Sequence, residues 1–475
     1  MNRILMALLQ SVLLLTGCGS TPEPTQPAAA IPTVKENTWE PFTGAVRLYQ
    51  YYHEDGEARV WEEDIIHMSE LYLDDYTQLT PFPSRIQFPD GDVEYDTERY
   101  SPELREYYLT RINDLIPKLE GMKEQDILFY LQETVAACQD AHMEVYITGE
   151  YRLFPLSLEP LYAEDGSWGL YVTSCKAGNR ELPFARLTAI NDIPVEEAVQ
   201  RLKRWISYEN EYWLLQCIAR TAILSTDYLY RSGILEEGKE KAAFTFEGTD
   251  GKIFTRTLHS LSLQQYQDLD WDVYAMAGWE NHPFRYRKEE TNYFFEYLEE
   301  YNTVFARIHR FRETPDYTLQ QFGNELLMLQ REVGTLDSMV IDLRSNPGGY
   351  RSLGFPELFT VLERMDIGTI YVLIDNGTFS NGVITAGTMA MRLDNAVLVG
   401  SPAGQSVNFY GGVEDITTPN GKITFRLPGA WWVIDPGNED PALMPDIPVL
   451  QTPEDYQNGV DTVLKTVFAM IGGTT

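Results

Sequence analysis

Cysteine is scarce in this sequence. The chain has 4 cysteines in 475 residues, and beyond the N-terminal segment there are three, Cys138, Cys175 and Cys217. Three is an odd number, and none of them belongs to a CxxC pair, so the pattern indicates neither a structural zinc site nor a disulfide framework. We therefore expect these thiols to be buried and to pack as small apolar side chains.

Positive charge is also in short supply. Lysine and arginine total 37 against 71 aspartates and glutamates, which gives a formal net charge of −34 at pH 7. A surface this acidic repels nucleic-acid backbones and anionic headgroups, so we expect no nucleic-acid partner. The sequence carries no metal-ligand cluster, phosphate loop or cofactor fingerprint, and it therefore predicts no cofactor and no metal.

Long apolar runs are missing beyond the N-terminus. Residues 1–17 combine Arg3 with an apolar stretch too short to span a bilayer, which is typical of a signal peptide. Residues 15–18, Leu-Thr-Gly-Cys, resemble a bacterial lipobox, whose cysteine receives two acyl chains and so a stable anchor. We expect Cys18 to tether an extracytoplasmic protein to the bacterial cell membrane. The alternative is a plain secretory signal with an incidental cysteine.

The N-terminal part of the mature chain has a spacer followed by helical signals. Residues 18–37 are rich in proline, alanine and threonine and cannot build a core, so we expect a linker. In residues 38–149, Ser101-Pro102 is typical of an N-cap with proline at the first helical position. A second helical pattern runs from residue 124 to Asp140. The sequence predicts an N-terminal helical domain here.

Two further domains are indicated by changes of pattern. Residues 150–262 contain short β-rich runs, and "ARLTAINDIPVEEAVQRL" resembles the strand–turn–helix of a PDZ-like domain. Residues 263–289 are left as a connector. In residues 290–475 continuous apolar strands alternate with amphipathic helices, a pattern typical of an α/β layer structure. The predicted fold class is therefore α/β multidomain.

Four motifs follow one another in the last domain. They are "VIDLRSNPGG" at 340–349, "TFSN" at 378–381, Val399-Gly400 and "PDIPV" at 445–449. In this order they resemble the S41 peptidases, the family of C-terminal processing and tricorn-type proteases. The resemblance implies a ClpP/crotonase-like catalytic core, a serine-peptidase activity on peptides or proteins, and Ser380 as the nucleophile.

A serine nucleophile needs a base to remove its proton. In the processing branch of the family that base is a lysine shortly after the "vG" strand, but this chain offers Gln405 or Ser406 there. The tricorn-type branch instead implies a histidine base in a "D.H" pattern, matched by His142, and a glutamate before the "PD" motif, matched by Glu439. Lys422 as the base is a further possibility.

The resemblance also gives roles to the neighbouring residues. His142 would take the Ser380 proton, Glu439 would orient the imidazole, and the amides near Gly348, Gly349 and Asn381 would bind the oxyanion. Serine before a helix is also a common N-cap. Glu439 has a plain alternative as a loop carboxylate, and Asp435 or Asp440 could replace it.

A second function is compatible with the same sequence. Gln405, and Ala141 where the family often has a serine before the histidine, depart from active patterns. A catalytically retired binding lipoprotein for a peptide or small ligand is therefore the competing hypothesis. Retention of both His142 and Glu439 favours the enzyme. Rate against pH separates a histidine base, with activity rising through roughly pH 6–7, from a lysine base.

Overall fold

The computed structural model describes most of the chain after the N-terminal segment. The described residues are 52–76, 78–149, 152–163, 165–176, 178–179, 181–269, 271–273, 291–314, 317–350 and 355–472. The predicted signal peptide, Cys18, the linker 18–37 and most of the connector 263–289 lie outside them. Within the described ranges, no helix combines the length and apolar character needed to cross a membrane.

The C-terminal part contains a six-stranded sheet. Its strands are β13 (Tyr293–Leu298), β14 (Thr303–Ile308), β15 (Leu336–Asp342), β16 (Ile367–Ile374), β17 (Ala396–Gly400) and β20 (Ile447–Pro448), in that spatial order. All neighbouring strands pair in parallel except β13, which is antiparallel to β14 at one edge. All six residues of β14 are buried, as expected for a strand covered on both faces.

Helices cover both faces of this sheet. They are α8 (Leu319–Val333), α9 (Phe355–Leu362), α10 (Asn381–Arg392), α11 (Pro453–Gln457) and α12 (Thr462–Gly472). Leu319, Phe322 and Leu326 of α8 share one apolar core with α9 and α10, whereas α12 packs in a separate cluster on the opposite face. Thr318 begins α8 with a capping box to Gln321.

The N-terminal part joins helices to a hairpin of the C-terminal part. Its elements are α1 (Gly56–Asp75), β1 (Ser84–Gln87), β2 (Val93–Asp96), α2 (Pro102–Leu115), α3 (Glu124–Ala136) and β3 (Glu144–Val145), with a 3-10 helix at Ile116–Lys118. The hairpin of β18 (Phe409–Thr417) and β19 (Thr424–Trp432) pairs with β1 and β3 through β19. The apolar core of this part therefore includes residues of the hairpin, such as Phe425.

The central part is a β-rich unit with its own core. Its strands are β4 (Arg152–Leu153), β5 (Leu156–Tyr162), β6 (Trp168–Lys176), β7 (Arg186–Ile190), β8 (Ile193–Pro194), β9 (Lys241–Glu247), β10 (Ile253–His259), β11 (Leu261–Ser262) and β12 (Trp271–Val273). Its helices are α4 (Val195–Leu202), α5 (Glu211–Arg220), α6 (Thr226–Arg231) and α7 (Leu263–Gln267). Three-residue 3-10 helices lie at Lys203–Trp205, Ala222–Leu224 and, in the C-terminal part, Glu299–Tyr301.

Long-range hydrogen bonds hold the three parts together around one region. Gln132 of α3 donates to the Trp205 carbonyl at 2.9 Å, which joins the N-terminal and central parts. Asn210 donates to the Pro441 carbonyl at 2.8 Å, which joins the central and C-terminal parts. Trp213 of the central part and His142 of the N-terminal part both pack on Phe379, with ring centroids 4.1 Å and 4.6 Å apart, so all three parts meet just before α10.

Candidate active site

Ser380 begins α10 in a conformation that non-glycine residues rarely adopt. Its backbone has φ 51° and ψ −123°, although it carries a side chain, and the side chain forms no capping hydrogen bond to the helix. Holding a residue in such a region costs about 1–3 kcal/mol, and strain of this kind clusters at functional sites. The hydroxyl is therefore not used as an N-cap, the alternative that the sequence left open.

The glycine turn after β15 lies directly against Ser380. Gly348 has φ +93°, and a Cβ built there would lie 2.7 Å from Ser380 Cβ and 2.8 Å from the Asn381 amide nitrogen. Asn346 braces the turn, since its Oδ1 accepts from the Gly348 amide at 2.8 Å and its Nδ2 donates to the Ile308 carbonyl at 2.8 Å. Glycine at 348 is thus required both by the turn and by the approach of α10.

Arg344 anchors the start of the same turn. Its guanidinium is buried and contacts the carboxylates of Asp342 and Asp461 through bidentate pairs at 2.7–3.0 Å. The two carboxylates raise the pKa of Arg344 well above its ordinary value, against the opposing effect of burial. Arg344 and Asn346 therefore brace the glycine turn from its two sides.

His142 lies between α3 and β3 and is buried. Asp140 fixes its backbone, because Asp140 Oδ1 accepts from the His142 amide at 2.8 Å. The ring packs against Phe379, the residue before the serine, with centroids 4.6 Å apart. Burial, with a contribution from the positive charge of Arg426, lowers the pKa of His142 to about 3. The imidazole is therefore neutral at neutral pH and can accept a proton.

Gln405 joins the serine to the histidine. Its Oε1 accepts from the Ser380 amide at 2.7 Å, and its Nε2 lies 2.9 Å from His142 Nδ1. The backbone amide can only donate, so the Gln405 atom beside it must be the oxygen, and the atom beside His142 must be the donating nitrogen. His142 Nδ1 is therefore the unprotonated ring nitrogen, and the Gln405 amide occupies it in this conformation.

Glu209 is a fourth member of the site that the sequence did not predict. Its Oε1 accepts from Gln405 Nε2 at 3.0 Å and its Oε2 from the Ser406 amide at 3.0 Å. The side chain keeps partial exposure, yet burial of the carboxyl raises its pKa to about 7. No motif marks Glu209, since its contact with Gln405 spans 196 residues.

Asp140, His142 and Glu209 form a group that could bind a cation. Each offers one ligand atom, and these atoms lie within 4.8 Å of one another. Burial and the negative charge of Glu209 raise the pKa of Asp140 well above its ordinary value. In this conformation the Gln405 Nε2 already donates to two of the three residues, so hydrogen bonds satisfy much of the group.

The other predicted residues lie in different surroundings. Glu439 is exposed in the loop between β19 and β20, and within the described parts of the chain no hydrogen bond joins it to His142. Asp435 and Asp440 belong to the same loop, where both contact Asn438. Lys422 pairs its Nζ with Glu57 of α1 at 2.5 Å. The structure thus brings Ser380, His142 and Gly348 together and leaves these four charged residues outside that group.

The predicted oxyanion donors are only partly available. The Gly348 amide donates to Asn346, and the Ser380 amide donates to Gln405. The Asn381 amide opens α10 next to Gly348, where the helix dipole favours negative charge. In the parts of the chain that the structure describes, Ser380 Oγ forms no hydrogen bond with His142. Ser380 and His142 are therefore joined through the Gln405 side chain and not by a direct hydrogen bond.

Comparison with solved structures identifies proteins with a fold similar to that of this chain. No protein-family model matches the chain, and the curated proteins gave no match. Among solved structures, mature CPAF has a TM-score of 0.54 at 12% identity, covering 87% of this chain and 98% of that chain. Mature CPAF complexed with lactacystin gives 0.55 at 11% identity, covering 87% and 99%.

The photosystem II D1 C-terminal processing protease is a looser match. Its TM-score is 0.40 at 11% identity, covering 86% of this chain and 96% of that chain, which is too low to carry an argument. The identities of all three structures are low, so the similarity concerns the fold alone. The predicted fold class is confirmed: this chain has a multidomain α/β fold similar to that of mature CPAF.

Proposed function

We propose that this protein is a serine peptidase of the S41 type in which Ser380 is the nucleophile and His142 the base. The observation that carries the proposal is the strained Ser380 at the start of α10, one amide side chain away from a buried neutral histidine. The four S41-like motifs and the fold similar to CPAF support it. The substrate class is a peptide or a protein.

The chemistry would proceed by acyl transfer. Ser380 Oγ attacks the carbonyl carbon of the scissile bond, and its proton passes to His142 Nδ1, the unprotonated ring nitrogen. The protonated imidazole then returns that proton to the leaving amine, and water hydrolyses the acyl-enzyme. Since Gln405 Nε2 now occupies Nδ1, the Gln405 side chain must first move off the ring.

The fixed amides would stabilise the oxyanion. The Asn381 amide lies beside the serine, and the Gly348 amide could join it only after leaving Asn346 Oδ1. Loss of one such donor typically costs about 100- to 1,000-fold in rate. Glu439, the acid suggested by the family pattern, could contact His142 only if its exposed loop moved inward. The predicted Ser380–His142–Glu439 triad therefore requires a second rearrangement.

Covalent labelling tests this proposal. A fluorophosphonate probe should label the full-length chain, and Ser380→Ala should abolish the signal because the probe reacts with an activated serine. Ser345→Ala is the matched control, since Ser345 lies in the neighbouring turn and is also a partly buried serine with positive φ. Labelling that survives Ser380→Ala, or its absence from the wild type, would contradict the proposal.

A specific observation also supports the competing function. Gln405 stands where the processing branch has its lysine, and it forms hydrogen bonds with Ser380, His142 and Glu209 at once. A retired site that binds a peptide without cleaving it would have such a satisfied arrangement. Binding of peptides to wild type with equal affinity to Ser380→Ala, without turnover, would favour this second function.

The membrane anchor belongs to the same proposal. Cys18 in the lipobox-like sequence would carry the acyl chains and hold the folded part outside the bacterial cell membrane. Cys18→Ala should move the protein from the detergent phase to the aqueous phase in a Triton X-114 partition. Unchanged partitioning would contradict lipidation at Cys18.

A further inference from the structure

Glu209 reaches the serine site from the central part of the chain. It lies in the turn between the 3-10 helix Lys203–Trp205 and α5, and both of its carboxylate oxygens accept hydrogen bonds at 3.0 Å. Two of its donors are Gln405 Nε2 and the Ser406 amide, and the backbone of Ala141 also forms a hydrogen bond with this carboxylate. Because Gln405 itself contacts Ser380 and His142, Glu209 is one side chain removed from both reacting groups.

The next residue fixes this turn to the same loop. Asn210 caps α5, its Oδ1 accepting from the Trp213 amide at 2.9 Å. Its Nδ2 donates to the Pro441 carbonyl at 2.8 Å and to the Ala403 carbonyl at 3.3 Å. Two consecutive side chains of the central part thus hold the segment that carries Gln405. The position of Gln405 depends on how the central part docks.

The charges around Glu209 are unusual for a bracing residue. The groups that face it are Asp140, His142 and Tyr410, and Glu209 has no salt bridge with any residue that the structure describes. A carboxylate enclosed without a cation costs stability, so stability alone does not explain it. Groups in such surroundings are more often functional.

We infer that Glu209 is the acidic positioning residue of the Ser380 site: by holding the Gln405 amide, it decides whether His142 Nδ1 is free to take the serine proton. This rests on the proposed function and adds a residue to it. The acid would come from the central part, whereas the base comes from the N-terminal part and the nucleophile from the C-terminal part. The site would be complete only when all three parts are docked.

The hydrogen bonds of Gln405 show how Glu209 acts on the histidine. One Nε2 hydrogen goes to Glu209 Oε1 at 3.0 Å, and the same nitrogen lies 2.9 Å from His142 Nδ1, so the carboxylate holds the amide against the ring nitrogen. Weakening the bond to Glu209 should therefore let the amide leave Nδ1, which can then take the serine proton.

The test compares Glu209→Gln with Glu211→Gln in the full-length chain. Glu211 is exposed, lies two residues further on and begins α5, so it controls for the loss of one charge in this turn. The rate of fluorophosphonate labelling would be measured at pH 8. We expect Glu209→Gln to be labelled about tenfold faster, because a neutral amide holds Gln405 less tightly than a carboxylate does and His142 Nδ1 is then free more of the time. Glu211→Gln should be labelled at the wild-type rate, and an unchanged or slower rate in Glu209→Gln would contradict the inference.

A second readout does not depend on activity. The ring nitrogens of His142 would be followed by 15N NMR in the Ser380→Ala background, with His142→Asn used to assign the signal among the six histidines. The inference predicts an unprotonated, hydrogen-bonded Nδ1 whose shift moves toward that of a free ring nitrogen in Glu209→Gln but not in Glu211→Gln. An Nδ1 shift that is unchanged in Glu209→Gln overturns the inference.

The two readouts separate the two proposals. If the wild type is not labelled but the Nδ1 shift depends on Glu209, the peptidase proposal fails and the coupling of Glu209 to His142 stands. If the wild type is labelled and Glu209→Gln shows the same rate and the same Nδ1 shift, the peptidase proposal stands and the role of Glu209 is overturned.

Discussion

Two groups of buried carboxyls in this molecule differ in how their charge is balanced. Asp342 and Asp461 contact the guanidinium of Arg344, and Arg307 adds a second contact to Asp342 at 3.0 Å. Asp140 and Glu209 have a neutral histidine and an amide as neighbours instead, and no salt bridge to either is found in the described ranges. We call the first the Arg344 cluster and the second the His142 cluster.

The two clusters differ in the role that their charges allow. The Arg344 cluster neutralises its carboxylates at short distance and supports the glycine turn beside Ser380. The His142 cluster keeps raised pKa values on both carboxyls, because burial disfavours their charged forms and no cation offsets it. Buried carboxyls whose pKa values are raised in this way are typical of functional sites. We therefore place function in the second cluster and support in the first.

Removing the cation of the first cluster should have the largest effect on stability. Arg344→Met leaves Asp342 and Asp461 without their main counter-charge, which should cost about 3–5 kcal/mol of unfolding free energy. The measurement is urea denaturation. Arg392→Met is the matched control: its pair with Asp90 is about half exposed, and its loss should cost no more than about 1 kcal/mol. Equal costs would contradict the role assigned to the Arg344 cluster.

The glycine turn between the two clusters should tolerate no side chain. Gly348→Ala adds a Cβ against Ser380 and Asn381 at a positive φ, so both strain and displacement of the serine are expected. We predict a loss of about 1–3 kcal/mol of stability and of labelling at Ser380. Gly334→Ala has a similar φ of +86° but no atom within 4 Å of its Cβ, so it should retain labelling. Labelling retained by Gly348→Ala would show that the turn does not shape the site.

Adding a cation to the second cluster should make it resemble the first. Gln405→Lys would place an ammonium beside Glu209 and Asp140, and the opposite charge should lower the pKa values of both carboxyls. The pKa of the Glu209 carboxyl, followed by 13C NMR, should therefore fall by about one unit or more. Gln451→Lys, a partly buried glutamine outside this cluster, serves as the control. An unchanged pKa of Glu209 would argue against coupling between position 405 and Glu209.

The titration of the histidine should appear in the stability of the protein. The pKa of His142 falls from an ordinary 6.5 to about 3 on folding, so the unfolded chain binds more protons between these values. The contribution of neutral His142 to the unfolding free energy is therefore fully present above pH 6.5 and is lost as pH falls toward 3. Glu209, whose pKa is raised from 4.5 to about 7, acts in the opposite sense between those values.

Chemical denaturation of wild type and His142→Asn at several pH values measures how the contribution of His142 to the unfolding free energy depends on pH. The difference in unfolding free energy between them should shrink as pH falls from 6.5 to 3. His67→Asn, a partly buried histidine of α1, provides the comparison. A difference that is constant with pH would contradict a buried neutral His142.

The smallest effect is expected at the acid suggested by the family pattern. Glu439 is exposed and has no hydrogen bond to His142 within the described residues. Glu439→Gln should change the labelling rate by less than about twofold, since the isolated exposed charge contributes little. A loss of about tenfold or more would show instead that the loop 433–446 closes on His142 and that the predicted triad forms.

Local sequence signals predicted the elements of the fold well. The Ser101-Pro102 start of α2 is confirmed, with Ser101 accepting from the Leu104 amide, and the helix and strands of the α/β part follow the predicted alternation. These features depend on residues that are close in the sequence, because helix capping and hydrophobic periodicity are local effects. The pairing of β1 and β3 with the hairpin β18–β19 was not predicted, because it joins residues hundreds of positions apart.

The same distinction applies to the site. Ser380, His142 and the Gly348 turn were predicted from motifs, and the structure brings them together. Gln405 was considered only as a poor base, and its hydrogen bonds to Ser380 and His142 could not be read from its neighbours. Glu209 lies in no motif and reaches the site through the docking of the central part. Residues that reach the site because one part of the chain packs against another can be identified only from the structure.

The most direct test of the account is fluorophosphonate labelling of the full-length wild type, Ser380→Ala and His142→Ala, run side by side at pH 8. We predict labelling of the wild type and its loss in both variants, because Ser380 is reactive only when His142 can take its proton. Absence of labelling in the wild type would contradict an activated serine. Labelling that survives His142→Ala but not Ser380→Ala would contradict His142 as the base.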